Sequence, residues 1–284
     1  MNIIRSATGI LLLFSTLVMY AQPRSIGIGG GASLYTGDLD PVPMTNIIQN
    51  TGFTFQIFVK QQLKDRLALR LNFSVMDISA SDELSEDSRV RVNRNLSFQN
   101  KIVELSVLAE YSVVKWRGLE LYAAAGPSVF RHNPKAINIV DNQLVELQSL
   151  GTEGQGFTDA HTASPYKLLQ LGIPMGGGIR QAITKHISIQ IESLGRVTFT
   201  DYLDDVSSRN YVPIERLSQL NGLLATQLAD PWIGRDSQKP SENPDTTNIV
   251  RGNPDINDYF LSGTISVIYK IPVHYKSQIK CPVF

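Results

Sequence analysis

What the sequence lacks narrows it first. It has one cysteine in 284 residues, Cys281, so no internal disulfide can form, and the thiol reads as an unremarkable free group in an exposed tail. It has no charge of one sign: 26 Lys and Arg residues balance 26 Asp and Glu residues, which offers no field to attract nucleic acid or an anionic surface. The four histidines, His132, His161, His186 and His274, are scattered without metal-ligand spacing. No G-x-S-x-G elbow occurs, and Gly29–Gly31 and Gly176–Gly178 sit inside strand patterns, where they open no helix to cradle phosphate. After the first 21 residues no apolar run approaches the roughly 20 residues of a membrane-spanning helix.

Those first residues have a different character. Arg5 precedes the apolar run Ile10 to Met19, and Met19-Tyr20-Ala21 before Gln22 forms a plausible cleavage site. Residues 1–21 read as a secretory signal. Its removal takes away Arg5 and leaves a net charge of −1. An exported chain without spanning helices is a soluble periplasmic or secreted protein, or a β-barrel of an outer membrane.

What is present decides among these. From Ile187 to Thr200 every second residue is apolar or small, and the intervening ones are polar or charged except Leu194. That period of two marks a strand with one dry and one wet face. The pattern recurs in Ser25–Asp38, Gly52–Gln62, Leu67–Ser79, Lys101–Val114, Leu119–Phe130, Lys167–Thr184 and Asp258–Ile271. These runs exceed the ordinary strand of about 5–6 residues and match the about 9–11 of a tilted membrane strand. Their connections alternate long and short. Leu63–Arg66, Lys115–Gly118 and Thr184–His186 are tight turns; Leu39–Asn50, Ala80–Asn100, Arg131–Ser164 and Leu203–Asn257 are long polar loops. Helical spacing appears in one of them, at Ile214–Ala229.

The expected fold is an all-β, eight-stranded antiparallel transmembrane barrel of the outer membrane, with long extracellular loops and short periplasmic turns. Residues 22–271 form the barrel and 272–284 a periplasmic tail. A soluble barrel of lipocalin type shares the alternation, but consistently long strands with all four long loops at one end count against it. Tyr35, Phe53, Phe55, Phe130, Phe199, Tyr202, Tyr259 and Phe260 gather toward the long loops, and Tyr111, Trp116 and Tyr269 toward the turns, as two aromatic girdles would. Pro174 inside a strand predicts a bulge or kink. On the wet face, Lys60, Arg70, Arg180, Arg196 and Lys270 accompany Glu104, Glu110, Glu120 and Glu192. In so narrow a lumen these must pair, which predicts a salt-bridged plug rather than a pore.

No catalytic or cofactor-binding residues emerge. Asp201, Asp204 and Asp205 form an acidic rim beside Asp255 and Asp258, the one candidate for a cation such as Ca²⁺. The spacing fits no EF-hand, and turn-forming aspartates are the favoured reading. Asp159 and His161 with a loop serine could imitate parts of a hydrolase, but nothing positions them. The charges of residues 80–100 read as a solvated loop.

Four stretches together carry a family resemblance: Gly29–Asp40 (GGGASLYTGDLD), Ile173–Ala182 (IPMGGGIRQA), Phe199–Ser207 (FTDYLDDVS), and Arg251-Gly252-Asn253 with Asn257–Phe260. The tail Lys280–Phe284 joins them. They resemble a Bacteroidota family of small outer-membrane β-barrels that includes PorG of the type IX secretion system. The resemblance implies a non-enzymatic accessory role. It implies tethering of a periplasmic ring of PorK and PorN to the outer membrane, with lipid around the barrel and contacts at the three turns and residues 272–284. It implies no cofactor and no catalytic residue. The alternatives are a barrel enzyme or a surface- or ligand-binding barrel with its site in the extracellular loops.

Overall fold

The computed structural model describes residues 24–39, 50–82, 94–138, 142–156, 164–231 and 251–272. The signal segment, most of the tail with Cys281, and Asp159 and His161 lie outside them. The strands are β1 Arg24–Thr36, β2 Gly52–Gln62, β3 Leu67–Ser81, β4 Ser97–Trp116, β5 Leu119–Ala125, β6 Ser128–Arg131, β7 Pro134–Ile137, β8 Leu144–Glu146, β9 Leu169–Ala182, β10 Ile187–Thr198 and β11 Tyr259–Ile271. Among the described residues two helices, α1 Leu147–Leu150 and α2 Ile214–Ala229, lie in the loops. Among the described residues no helix is long and apolar enough to cross a membrane.

The sheet closes on itself. β1 pairs with β2, β2 with β3, β3 with β4, β4 with β5 and β6, these with β9, β9 with β10, β10 with β11, and β11 with β1, all antiparallel. β5 and β6 are one wall strand interrupted at Gly126-Pro127, for Ala125↔Met175 and Ser128↔Gly172 keep a single register. The ring therefore has eight strands. Closure leaves no unpaired edge in the wall, which is what lipid demands of a β-structure.

The two faces of each strand separate cleanly. Leu171 is 63% and Ile265 61% exposed on the outside, whereas Arg70 and Glu104 are 0% exposed within. Apolar outside and charged inside is inverted relative to a soluble barrel, and it is the arrangement of a transmembrane one. Two residues that broke the alternation explain themselves. Phe58 turns inward, fully buried, with the Arg70 guanidinium 5.0 Å over its ring. It fits because Gly27 faces it across β1–β2; a Cβ there would fall 2.2 Å from the Phe58 ring. Leu194 joins Leu108, Tyr122 and Ala124 in a small apolar plug.

Several expectations need correction. β9 runs unbroken through Pro174, and the discontinuity falls on its neighbour instead. There Gly126 N–H donates to the Pro174 carbonyl and Val107 N–H to the Pro127 carbonyl, so each proline serves only as an acceptor. A register shift appears between Ser112 and Val114 of β4. Lys270 lies near the end of its strand and is exposed rather than lumenal. Of the upper girdle, Tyr35, Phe130 and Phe260 point inward and are buried, whereas Phe53, Phe55, Phe199 and Tyr259 face out. Residues 131–164 hold the β7–β8 hairpin and α1, which their polar composition concealed.

Candidate functional site

The lumen holds two ion-paired layers. In the lower, Glu110 gathers three cations: Lys60 at 3.6 Å, Arg70 at 3.2 Å and Arg180 at 2.8 Å. Arg70 also reaches Glu192 at 2.7 Å and Arg180 reaches Glu120 at 2.8 Å, while Tyr122 Oη donates to Glu192. In the upper layer Arg196 meets Glu104 at 3.1 Å and donates to the Leu194 carbonyl and Ser262 Oγ. Each of these groups comes from an inward position of the wall, and together they lace it from side to side. The expected plug is present without Lys270.

Above it, the long loops fold into a cap. Asp82 and Arg94, expected in a solvated loop, are buried in a bidentate pair with both contacts at 2.7 Å. Arg94 also donates to the carbonyls of Asp38 and Arg251. Arg251, fully enclosed, donates to Glu153 Oε1 at 3.1 Å, Thr152 Oγ1 at 3.2 Å and the carbonyls of Ala229 and Asp205. Asn253 N–H donates to Asp38 Oδ2. Beneath lies an apolar layer that includes Leu39, Phe98, Leu203, Val206 and Phe260. Three of the four stretches that carried the resemblance thus meet here; the fourth, Ile173–Ala182, is wall.

The acidic rim is the centre of this cap. Asp201, Asp204 and Asp205 are all buried. Tyr35 Oη lies 2.6 Å from Asp204 Oδ2 and 2.7 Å from Asp258 Oδ1. The other oxygens of the two carboxyls accept backbone N–H groups, of Val206 and Leu203. A phenol has one proton to donate. Both contacts are best satisfied when one carboxyl carries a proton and donates it to the phenol oxygen. The pair therefore shares one negative charge, and burial together with mutual repulsion raises Asp204, while burial above all lifts Asp258 to about 7. Burial lifts Asp205 to about 7 although Arg251, Thr152 and Tyr166 favour its ionised form. Asp201, whose oxygens have no donor in hydrogen-bonding geometry, is pushed up to about 8 by burial first and then by Asp258 and Asp38, with Ser207 offsetting a part. An aromatic stack of His132, Tyr166 and Tyr202 flanks Asp205. Among the described residues no three His, Cys, Asp or Glu groups come together so as to hold a metal ion.

This protonation has a measurable sign. A carboxyl raised in the folded cap, from 3.8 toward 7, binds a proton that the opened cap releases. Its contribution is complete below the unfolded value and is lost as pH rises through about 7. Amide exchange in 200–207 is expected to be slower near about pH 5 than near about pH 8, after correction for the intrinsic pH dependence of exchange, and Asp258→Asn should flatten the difference. Protection that grew with pH would contradict the shared proton.

A family model described as "Domain of unknown function (DUF6089)" matches residues 5–221, ending before β11. No curated protein matches the chain. Among solved structures, the chain is similar to Neisserial surface protein A, with 8% identity, 87% of this chain and 97% of that one covered, and a TM-score of 0.44. It is similar also to Ail, the attachment invasion locus protein of Yersinia pestis, with 8% identity, 88% and 99% covered, and a TM-score of 0.40. A major outer membrane protein from Thermus thermophilus shows 12% identity, 87% and 99% covered, and a TM-score of 0.41.

Proposed function

The chain belongs to the DUF6089 family, and on that premise we propose that it is a non-enzymatic structural barrel of the outer membrane. Its task is to anchor periplasmic machinery rather than to conduct or to catalyse. The observation that carries this is the filled lumen: Lys60, Arg70, Arg180 and Arg196 are consumed by Glu104, Glu110, Glu120 and Glu192. A barrel plugged by ion pairs below and capped by folded loops above has its free surface at its two ends. The apolar outer wall supports the location.

The finer reading follows the resemblance of Gly29–Asp40, Phe199–Ser207 and Arg251–Asn253 to the PorG-like barrels. On it, the protein is an accessory component of type IX secretion that tethers a PorK/PorN ring through the turns at Leu63–Arg66, Lys115–Gly118 and Thr184–His186. The test is a pull-down of the tagged protein from detergent-solubilised outer membranes. Co-recovery of PorK- and PorN-like proteins is the expected result. Recovery of the intact barrel by itself would retire the tether.

One observation favours a binding role as the second reading. A cleft of about 610 Å³ lies against the upper parts of β3, β4 and β7, lined by Asp77, Gln99, Lys101, Asn133, Lys135 and Leu144 among others. It opens to the outside of the cap, where a surface ligand could enter.

A further inference from the structure

The two ends of the barrel differ in charge. At the short-turn end Lys64, Arg66, Lys115, Arg117, Lys185 and Lys270 are all exposed, and Asp65 is the carboxylate set among them. At the long-loop end exposed acidic and basic groups are comparable in number among the described residues, with Glu146, Glu215 and Asp255 beside Lys167, Arg209 and Arg216. The lumen does not blur this contrast, since its charges cancel one another within the barrel.

The basic end is also a fixed surface. Leu63 N–H donates to the Leu67 carbonyl and Ile183 N–H to the Ile187 carbonyl, each at 2.9 Å, so both hairpins close tightly. Lys115 Nζ donates to the Asp65 carbonyl and Arg66 to the Val113 carbonyl, tying adjacent hairpins together. The Arg117 guanidinium sits 5.2 Å over the Trp116 ring, and Trp116 is 62% exposed. Position separates a protein partner from a lipid one. Where the wall meets the leaflet at this end, the exposed side chains include Tyr111, Trp116, Ile183 and Tyr269. The charges stand mostly in the turns themselves, beyond the last wall-facing positions. A leaflet surrounds the wall, whereas the turn face opens to water.

We infer that this basic turn face docks an acidic surface of a periplasmic protein. The inference rests on the tethering reading for the side of the membrane and for the existence of a partner; it adds where the partner sits and what chemistry it presents. Opposed charge of this kind acts mainly on association rate, and it is screened over about 8 Å at physiological salt.

Two measurements test it. First, outer membranes are treated with a zero-length carbodiimide, which joins lysine amines to carboxylates in direct contact, and Lys64 and Lys185 peptides are analysed. The expected adducts are to Asp or Glu peptides of another protein, with yields falling as salt rises from about 0.05 to about 0.5 M. Adducts confined to carboxylates of this chain would overturn the inference. Second, K64E/R117E/K185E, whose three sites are exposed turn positions, is compared with the unaltered protein in nanodiscs for association with that partner. A loss on the order of tenfold, mostly in association rate, is expected. Unchanged association would overturn the inference, as would a variant that loses only its retention of phosphatidylglycerol vesicles, which assigns the face to the leaflet. If the cross-linked partner is unrelated to PorK or PorN, the tether to that ring fails and the acidic-partner inference stands.

Discussion

Arg196→Leu will lower the unfolding free energy of the barrel by roughly 3–5 kcal/mol, among the largest losses expected for one lumenal side chain. Arg196 and Glu104 are both sealed from solvent and are each other's ionic partner, 3.1 Å apart. Removing the guanidinium leaves a buried carboxylate whose remaining donor is Ser74 Oγ at 3.2 Å. The lower layer behaves differently, because Glu110 has three cations around it and keeps two when Lys60 is replaced. Lys60→Met should therefore cost far less. The double replacement Arg196→Leu/Glu104→Leu removes both charges at once and should recover most of the single loss, since an apolar pair of similar volume leaves nothing unpaired. Urea titration of the protein folded in phosphocholine vesicles reads the midpoints of the unaltered protein and the three variants. A single variant no worse than the double would mean that the pair is not a closed unit.

The barrel was legible because its pattern is local and repeated. Parity set Leu171 and Ile265 on one face and Arg70 and Glu104 on the other, strand length and the one-sided loops turned the apolar face outward, and the structure agrees. The pattern also predicted the cross-lumen pairing of these charges, since a narrow interior leaves them no other option. Parity misplaced Lys270, because it says which way a side chain points and not how far along the wall it sits. The interruption at Gly126-Pro127 was hidden by the neighbouring Pro174, which carried the more obvious signal.

The cap was illegible for a different reason. Its contacts join residues far apart in sequence: Tyr35 and Asp204 are separated by 169 positions, and Asp38 and Asn253 by 215. No local periodicity reports such pairs. The turn reading of the aspartates was half of the answer. Asp204 Oδ1 accepts the Val206 N–H two residues on, as turn chemistry predicts, while Oδ2 reaches across to Tyr35. Helical spacing did find α2, though not its break at Gly222, where φ is 84°.

Arg251→Leu is expected to open the cap and leave the barrel standing. Arg251 is the hub through which the last long loop holds the third. Its guanidinium meets Glu153, Thr152 and the Asp205 carbonyl, and its own carbonyl accepts from Arg94, which in turn holds Asp82. Without it, Glu153 keeps the N–H groups of Ser207 and Ser208 but loses its ionic partner, and Asp205 loses the charge that opposes its burial. Breaking one partner of a buried pair costs roughly 3–5 kcal/mol, enough to loosen loops whose other ties to the wall include the bonds of Tyr35 to Asp204 and of Asn100 to the Leu203 carbonyl. The wall itself is paired strand to strand without Arg251. Trypsin on intact cells should then cut after Arg94, which the folded cap buries, while the heat-modifiable mobility of the folded barrel persists. Arg251→Lys should fall between the two, since one ammonium cannot make all of those contacts. A variant that lost the folded barrel together with the cap would show that the two fold as one unit, and unchanged resistance to trypsin would show that Arg251 is not the hub. The separate failure expected here follows from the construction of the molecule: a wall closed by its own backbone, and a lid whose loops are joined to one another largely through Arg251.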